Sequence, residues 1–484
     1  MDAIDMKAKK SNFSEWYTEL LKEAKLCDLR YNVKGFVVFQ PNSVITMKIM
    51  YDMYEAELEK NNHLPAWFPA LIPESNFTRE GEHVKGFVPE VFWVEKSGDN
   101  PLEERLAMRP TSETAMYQMY SLWIQGASDL PLKIYQSCQV WRCETKATRP
   151  FIRSREFYWI EAHDCFATRE GAVEQVKEDM EMAENVIHKH FGVPFIFFKR
   201  PQWDKFPGAE ETFAADCLMP DGKALQLPST HLLGQNFAKP FDVKYLNEKG
   251  EPTYVWQTCY GPAISRIYAA VISTHGDDNG LVLPFELAPV QVVVVPIVKG
   301  DGGAAIEDKA KEIAKELSSF GFRAKADLSP NTPGFKFNEW ELLGAPIRIE
   351  IGAKELGEKT LTLAPRHTGK REKIPEKDLS HAIKLAAKSL NAALLEKADA
   401  WFSKMMHKAN STGELKGALE KGGFVQVPFC SISMDGEGCA KEIKEKLSGD
   451  VRGVRHDKHE QPKREKCIAC GKDAKEYVYV ARQY

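Results

Sequence analysis

Long apolar runs are missing from this chain of 484 residues. No stretch approaches the roughly 20 consecutive apolar residues that a membrane-spanning helix needs, and the start MDAIDMKAKK lacks the apolar segment of a secretory signal. We therefore expect no membrane partner and a cytoplasmic location. The ten cysteines mostly stand alone, with four at or after position 430, so a disulfide framework typical of small secreted proteins is not expected.

An excess of positive charge is also missing, because the formal net charge is −4 at pH 7. General attraction to nucleic acid is therefore absent, and any polynucleotide contact would have to come from a local patch. This balance neither supports nor excludes tRNA as a partner. A hydrophobic fraction of 43% supplies an ample core, and the length suggests about three domains.

The stretch VWRCETKATRPFIRSREFYWIEAH, residues 140–163, combines several charges with aromatic and β-branched residues. Its alternation predicts a hairpin whose turn is TKATRP, and side chains two apart in a strand share a face. Arg142 and Glu144 would then point together on the first strand. The face predicted for the second strand carries Arg153, Arg155, Phe157, Trp159, Glu161 and His163. Such a face suits an anionic ligand with a flat ring.

Helical periodicity is confined to a few segments. Asn12 is a helix N-cap candidate before an apolar stripe that reaches about residue 26, and a second helix is predicted over 43–60. Between Pro73 and Leu283 we predict short strands and one clear helix, over 169–191, with Thr168 as its cap. Strands without regular helix alternation favour an antiparallel sheet.

The pattern changes after Pro289. QVVVVPI is typical of a strand buried on both faces, and the helices and strands that follow predict a compact α/β domain. A long helix over about 378–408 leads to a small module that holds the four late cysteines. The predicted domains are residues 1–288, 289–377 and 378–484.

Several motifs in sequence order resemble class II aminoacyl-tRNA synthetases, specifically the prolyl-tRNA synthetases of the archaeal and eukaryotic type. FPALIPES resembles motif 1, WRCE and SREF the two halves of motif 2, and CYGPAISR motif 3. RPTSET, LGQNF, HGDDNGLVLP and a C-terminal tyrosine, here Tyr484, recur in the prolyl enzymes. The resemblance implies an α+β multidomain chain: an antiparallel catalytic sheet with helices, an α/β anticodon-binding domain and a small C-terminal module. It also implies a homodimer built through motif 1.

The implied activity is ATP-dependent attachment of L-proline to proline tRNA in two steps, prolyl-adenylate formation and transfer to the terminal ribose. A proline carboxylate and the α-phosphate of ATP repel each other, and a guanidinium can hold both. The resemblance implies Arg142 in that role, with Glu144 contacting adenine or orienting Arg142. The other implied ATP contacts are Arg153, Phe157, Gln226 and Arg266, with Mg²⁺ on the phosphates.

Proline presents a secondary ammonium and a short apolar ring, so its pocket needs acceptors and a close wall. Thr111 and Glu113 of RPTSET can converge on the ammonium if that segment is extended. The residues that the resemblance implies for the pocket wall and rim are Trp159, Glu161, His163, Ser229 and His231. The segment between Arg142 and Arg266 is filled by predicted core elements, so we expect no editing domain in this chain.

Two further sites are implied outside the catalytic domain. Glu341 and Arg348, in NEWELLGAPIRIEIG, match anticodon-contacting positions, although a surface ion pair is the alternative. Cys430, Cys439, Cys467 and Cys470 match a structural zinc module in some relatives. The second cysteine pair has the usual two-residue spacing, whereas eight residues separate the first pair, so metal-free buried thiols remain the alternative.

Other interpretations compete with this assignment. An isolated Arg–Glu pair is usually a surface ion pair, and neighbouring Phe and Trp are most often core residues. A synthetase-like tRNA-binding regulator would be expected to lack Arg142 or Arg266, and both are present. A threonine or serine enzyme is the third candidate, and against a threonine site we find no His/Cys metal triad in the catalytic segment.

Overall fold

The structure is a computed structural model that describes residues 9, 11–81, 91–145, 147–298, 303–458 and 460–484. The turn residue Lys146 and most of the N-terminal stretch MDAIDMKAKK lie outside these ranges. Within them, no helix combines the length and the apolar character that crossing a bilayer requires.

Helices and short strands alternate irregularly in the first part of the chain. Its helices are α1 (Phe13–Glu23), α2 (Pro41–Lys60), α3 (Glu74–Gly81), α4 (Glu113–Trp123), α5 (Arg169–Ala183) and α6 (Ile264–His275). Its strands are β1 (Cys27–Asp28), β2 (Val38–Phe39), β3 (Leu64–Pro65), β4 (Leu71–Pro73), β5 (Trp93–Ser97), β6 (Asn100–Met108), β7 (Leu132–Trp141), β8 (Glu156–Phe166), β9 (Phe195–Lys199), β10 (Glu211–Leu218), β11 (Ala224–Gly234), β12 (Lys244–Leu246), β13 (Pro252–Tyr254) and β14 (Trp256–Gly261).

One large sheet organises this part of the chain. The strand order β9-β10-β11-β14-β8-β7 is antiparallel throughout, and β3 joins β7 in parallel at the edge. Helices α1, α2 and α6 share one apolar core with the back of this sheet. The prediction of an antiparallel sheet is therefore confirmed, and its other face is left to carry polar side chains.

The middle part of the chain is a mixed five-stranded sheet flanked by helices. Its elements are β15 (Val292–Pro296), α7 (Gly303–Ser319), β16 (Ala324–Ala326), α8 (Pro333–Leu342), β17 (Ile347–Ile351), α9 (Ala353–Glu358), β18 (Thr360–Pro365) and β19 (Glu372–Pro375). The order is β16-β15-β17-β18-β19, with parallel pairing around β15 and antiparallel pairing beyond β17. All five residues of β15 are buried, as the run QVVVVPI predicted.

The last part adds a second small sheet. Its elements are α10 (Leu379–Lys404), β20 (Met406–Lys408), α11 (Thr412–Lys421), β21 (Phe424–Phe429), α12 (Glu437–Leu447), β22 (Asp450–Arg455) and β23 (Glu476–Ala481). Strand β22 pairs with β9, so the strands β20-β21-β23-β22 extend the large sheet to eleven strands in the described part of the chain. The first half of α10 packs on the five-stranded sheet, so the predicted boundary at residue 378 separates segments that share one core.

Several local predictions are corrected. RPTSET is not extended throughout, the condition under which Thr111 and Glu113 were expected to converge, because Glu113 is the first residue of α4. Helices α3 and α6 were also missed between Pro73 and Leu283. The helix predicted over 169–191 begins at its Thr168 cap, but its last part, Glu184–His190, widens into a π-helix.

Candidate active site

The predicted hairpin is confirmed as β7 and β8, which pair antiparallel from Leu132↔Cys165 to Trp141↔Glu156. Phe157, Trp159, Glu161 and His163 alternate along β8 and share one face, as predicted. Arg153 does not continue that row, because the strand begins only at Glu156. The connection before it turns at Phe151, which has φ +63 and is buried.

The pocket floor continues across four neighbouring strands. His163 on β8 lies opposite Cys259 on β14, which lies opposite His231 on β11, which in turn lies opposite Thr212 on β10. Directly paired residues in a sheet project on the same face. The sheet therefore brings side chains from distant parts of the sequence into one row, two of which, His163 and His231, were predicted site residues.

A buried carboxylate anchors this floor. Glu161 is 1% exposed and accepts hydrogen bonds from Ser112 Oγ, from Gln136 Nε2 at 2.8 Å and from His163 Nε2 at 3.3 Å. Burial alone would raise the pKa of Glu161, but His163, Ser112 and Gln136 lower it. For His163 burial opposes the charged form, yet the neighbouring Glu161 and Glu113 raise its pKa. Each member of this buried pair thus favours the charged form of the other.

His231 behaves differently from His163. Its ring nitrogens lie 2.9 Å from Thr212 Oγ1 and 3.0 Å from Ser229 Oγ, so both nitrogens have hydroxyl partners. Burial, with His163 and Arg200 nearby, lowers the pKa of His231 to about 3. His231 is therefore a neutral group at the pocket rim.

Thr111 and Glu113 converge by a route that the sequence did not suggest. Thr111 precedes α4, and its hydroxyl donates a hydrogen bond to the Glu113 carboxylate. Glu113 is 1% exposed and lies 3.6 Å from Cys259 Sγ. Although Glu113 begins a helix instead of continuing an extended segment, its carboxylate still contacts Thr111 and Cys259.

The fold also assembles a group that we did not find in the sequence. Ligand-type atoms of Glu113, His163 and Cys259 lie within 4.8 Å of one another. The trio includes a carboxylate, so it is not a His/Cys triad of the kind expected of a threonine site. Burial and Glu113 raise the pKa of the Cys259 thiol well above its usual range.

Arg142 reaches the site from the loop after β7. Its Nε donates to Pro110 O at 3.3 Å, and its guanidinium lies 5.2 Å from the ring centre of Phe157 and 5.5 Å from that of Trp159. These contacts hold the side chain between two aromatic faces. Within the described ranges, neither Nη group has a hydrogen-bond partner, so the planar end of this exposed arginine can receive a ligand.

Two more arginines approach the same region. Arg266 on α6 donates to Ile152 O and to Gln226 O, each at 3.2 Å. Burial, together with Arg142 and Arg153, lowers the pKa of Arg266 to about 10. Arg153 lies 3.8 Å from Glu144 and donates to the terminal Tyr484 O at 3.0 Å. Arg142 and Arg153 thus lie close enough to Arg266 to disfavour its charged form, and such an arrangement suits an anionic ligand.

The sequence did not reveal the residues that hydrogen-bond to Glu161 and His163. Ser112 and Gln136 hold Glu161, and Tyr117 Oη lies 2.8 Å from His163 Nδ1. Ser112 stands inside RPTSET and could have been noticed there. Gln136 and Tyr117 carry no local signal, because only strand pairing and the register of α4 bring them to the site.

The predicted anticodon residues contact each other. Arg348 Nη1 lies 3.2 Å from Glu341, and Arg348 Nε lies 3.0 Å from Glu350. The Arg348 guanidinium also stacks 3.9 Å from the ring centre of Phe337. A small cavity of about 50 Å³ beside this pair is lined in part by Trp340. The role of Glu341 and Arg348 in base contact stays a prediction.

The four late cysteines come together despite the long first spacing. Ligand atoms of Cys430, Cys439, Cys467 and Cys470 all lie within 4.8 Å of one another, and the first two sulfurs are 3.7 Å apart. Tetrahedral zinc with bonds of about 2.3 Å places sulfurs roughly 3.8 Å apart. The eight intervening residues fold back closely, since a Cβ at Gly436 would lie 1.9 Å from Ser431 O. The four residues therefore fit zinc.

Comparisons with known proteins agree with this architecture. A family model of the tRNA synthetase class II core domain (G, H, P, S and T) matches residues 92–275. An anticodon binding domain model matches residues 291–385, and a prolyl-tRNA synthetase C-terminal model matches residues 412–484. The fold class inferred from the sequence is thereby confirmed.

Full-length relatives support the same assignment. A proline--tRNA ligase of Thermofilum pendens is 48% identical, covering 99% of this chain and 98% of that protein, and one of Thermococcus kodakarensis is 41% identical over the full length of both. The structure of Giardia lamblia prolyl-tRNA synthetase in complex with prolyl-adenylate matches with a TM-score of 0.93 at 38% identity, covering 98% of this chain and 99% of that one. This chain belongs to the prolyl-tRNA synthetase family of class II aminoacyl-tRNA synthetases.

Proposed function

We propose that this site joins L-proline to ATP as prolyl-adenylate and then transfers the prolyl group to proline tRNA. The single observation that carries the proposal is the position of Arg142, which lies close enough to Glu161 and to Arg266 to interact electrostatically with both. In the first step the proline carboxylate displaces pyrophosphate from the α-phosphorus. Arg142 would hold both reacting anions, so catalysis is positioning and charge stabilisation.

Each side of Arg142 receives a separate substrate. On the nucleotide side, Phe157 would stack on adenine, Glu144 and Gln226 would contact the nucleoside, and Arg153 and Arg266 would bind the terminal phosphates. Mg²⁺ would enter on the phosphates of ATP as part of that substrate. The clustering of the arginines supports this division, because a triphosphate offsets charges that otherwise repel.

On the amino-acid side, Thr111 and Glu113 would accept the two N–H donors of the prolyl ammonium. Trp159 and Glu161 with His163 would form the wall, and Ser229 with His231 the rim. The low pKa of His231 supports this arrangement, because a neutral rim adds no second cation beside the ammonium.

Three further assignments belong to this proposal. The exposed apolar side chains just before and within FPALIPES, with Leu64 63%, Trp67 91% and Leu71 41% exposed, would form a homodimer interface. The four cysteines would hold a structural zinc ion, and Glu341 with Arg348 would read the anticodon. We also expect no editing domain between Arg142 and Arg266, and a cytoplasmic location.

Proline-dependent exchange of pyrophosphate into ATP tests the proposal with purified full-length chain. We expect exchange with proline and no comparable exchange with threonine or serine. Threonine-dependent exchange alone would move the assignment to another amino acid. Exchange with none of the three, together with retained tRNA binding, would favour the regulatory alternative.

A further inference from the structure

An ionic cluster outside the pocket connects the C-terminal module to the nucleotide side of the site. It consists of Arg200 just after β9, Asp216 on β10 and Arg452 on β22. All three are at most 3% exposed. Burying a charged group is costly unless it is paired, so a cluster with two cations and one anion has to be closely arranged.

Both arginines of the cluster donate two hydrogen bonds to the Asp216 carboxylate. Arg200 donates to Asp216 from Nη1 at 2.9 Å and from Nη2 at 2.8 Å. Arg452 donates to the same carboxylate from Nε at 2.8 Å and from Nη2 at 3.1 Å. Arg200 Nη1 also donates to the backbone oxygen of Arg452 at 2.8 Å. Burial alone would raise the pKa of Asp216, but the two arginines lower it to about 2. The carboxylate is therefore ionised and holds both guanidinium groups.

Arg200 also donates a hydrogen bond to a residue outside the cluster, on the nucleotide side of the proposed site. Arg200 Nη2 donates to Gln226 Oε1 at 3.2 Å, and Gln226 lies directly opposite Asp216 in the β10–β11 pairing. A side-chain amide whose oxygen is occupied in this way has its NH₂ group directed elsewhere. Gln226 can then offer two donors to the oxygen or nitrogen acceptors of a nucleoside.

The backbone explains how Arg452 arrives at this place. A β-bulge between Val451 and Gly453 interrupts the β22–β23 pairing, and bulges re-aim side chains. Gly453 has φ +116, and a Cβ there would lie 2.0 Å from Lys199 O. Only glycine allows β22 to approach the catalytic sheet so closely, which brings Arg452 to Asp216.

We propose that Arg200 is a positioning residue that presents the Gln226 amide to ATP, and that Asp216 and Arg452 hold Arg200 in place so that the C-terminal module supports nucleotide binding. The inference rests on the proposed function, because it takes Gln226 as an ATP contact. It assigns the cluster no contact with proline.

The test is the Arg200→Lys variant of the full chain, assayed by proline-dependent pyrophosphate exchange. Lysine keeps the charge beside Asp216 but loses the fork that also reaches Gln226. We expect the KM for ATP to rise about tenfold, as for one lost hydrogen bond to a charged group, with the KM for proline within twofold of the original. Arg455→Lys is the matched control, since Arg455 lies on β22 but pairs with Asp457; it should leave both KM values unchanged.

A double-mutant cycle separates positioning from general support of the fold. Gln226→Ala alone should raise the KM for ATP, and adding Arg200→Lys should then change it less than twofold, because the same contact is already lost. Additive effects would overturn the inference, as would equal rises in the KM values of both substrates.

Arg452→Met provides an independent measurement if Arg200→Lys does not fold. The expected result is a rise of about threefold in the KM for ATP with an unchanged KM for proline. Arg200 keeps its bond to Asp216, but that carboxylate is no longer held by the Arg452 guanidinium. An unchanged KM for ATP in either folded variant rejects this inference alone. Failure of the unaltered chain to catalyse exchange would instead reject the proposed function.

Discussion

Replacing Arg142 should separate the contribution of its charge from that of its geometry. Arg142 is exposed, lies on a loop and donates one hydrogen bond to a backbone oxygen, so the fold should tolerate Arg142→Lys and Arg142→Ala. Its two free Nη groups can make two charge-assisted hydrogen bonds to the reacting anions. Each such bond contributes about 1.5–3 kcal/mol.

Lysine keeps the charge but cannot hold two anions in one plane, so the loss should be about 2–3 kcal/mol, or roughly 30- to 200-fold in kcat/KM. Alanine loses both bonds and the charge, and the expected loss is roughly 10³- to 10⁴-fold. Proline-dependent pyrophosphate exchange measures both variants. Arg155→Lys is the control, because Arg155 belongs to the same loop but donates to Glu144 O and Lys34 O.

The control variant should stay within about threefold of the original activity, because a lysine can still reach one of those backbone oxygens. Unfolding temperatures of all three variants should agree closely. Exchange by Arg142→Ala within tenfold of the original rate would refute the reasoning, since the two anions would then be held by other groups.

Three further outcomes are expected. Elemental analysis should find one zinc ion per chain in the unaltered protein and in Cys27→Ser, which lies outside the cluster, whereas Cys470→Ser should lose the metal and have a lower unfolding temperature. His188 is held by two carboxylates that raise its pKa to about 9; its stabilisation should be complete below pH 6.5 and disappear as the pH rises through 9. His188→Gln should therefore lose about 1–2 kcal/mol at pH 6, and nothing at pH 10, in urea unfolding curves. Trp67→Glu should convert a dimer into a monomer in sedimentation experiments, and an unchanged sedimentation coefficient would exclude this surface as the interface.

The strand alternation around Trp159 identified both the hairpin and the face that lines the pocket, because a period of two is a local property of the sequence. The same period failed at Arg153. There the chain turns so that Phe151 packs against Tyr268, with ring centres 5.4 Å apart, and this contact depends on a helix more than a hundred positions away. Local patterns therefore predicted which residues share a strand, but not where the strand begins.

The pocket interior shows a second limit of sequence reasoning. Thr111 and Glu113 were found through the RPTSET motif, although the start of α4 at Glu113 replaces the extended conformation that was considered. Cys259 reaches Glu113 only because β14 pairs with β8 in one particular register. Spacing was also a poor guide for Cys430 and Cys439, whose eight intervening residues fold into a compact loop.

The pairing of β22 with β9 has a consequence for folding. Arg452 donates to Asp216 although 236 positions separate the two residues in the sequence, and Arg153 donates to Tyr484 O across 331 positions. Contacts between such distant positions close large loops, so they form more slowly than local contacts do. We therefore expect the surroundings of Asp216 to become ordered late in folding, after the local hairpin of β7 and β8.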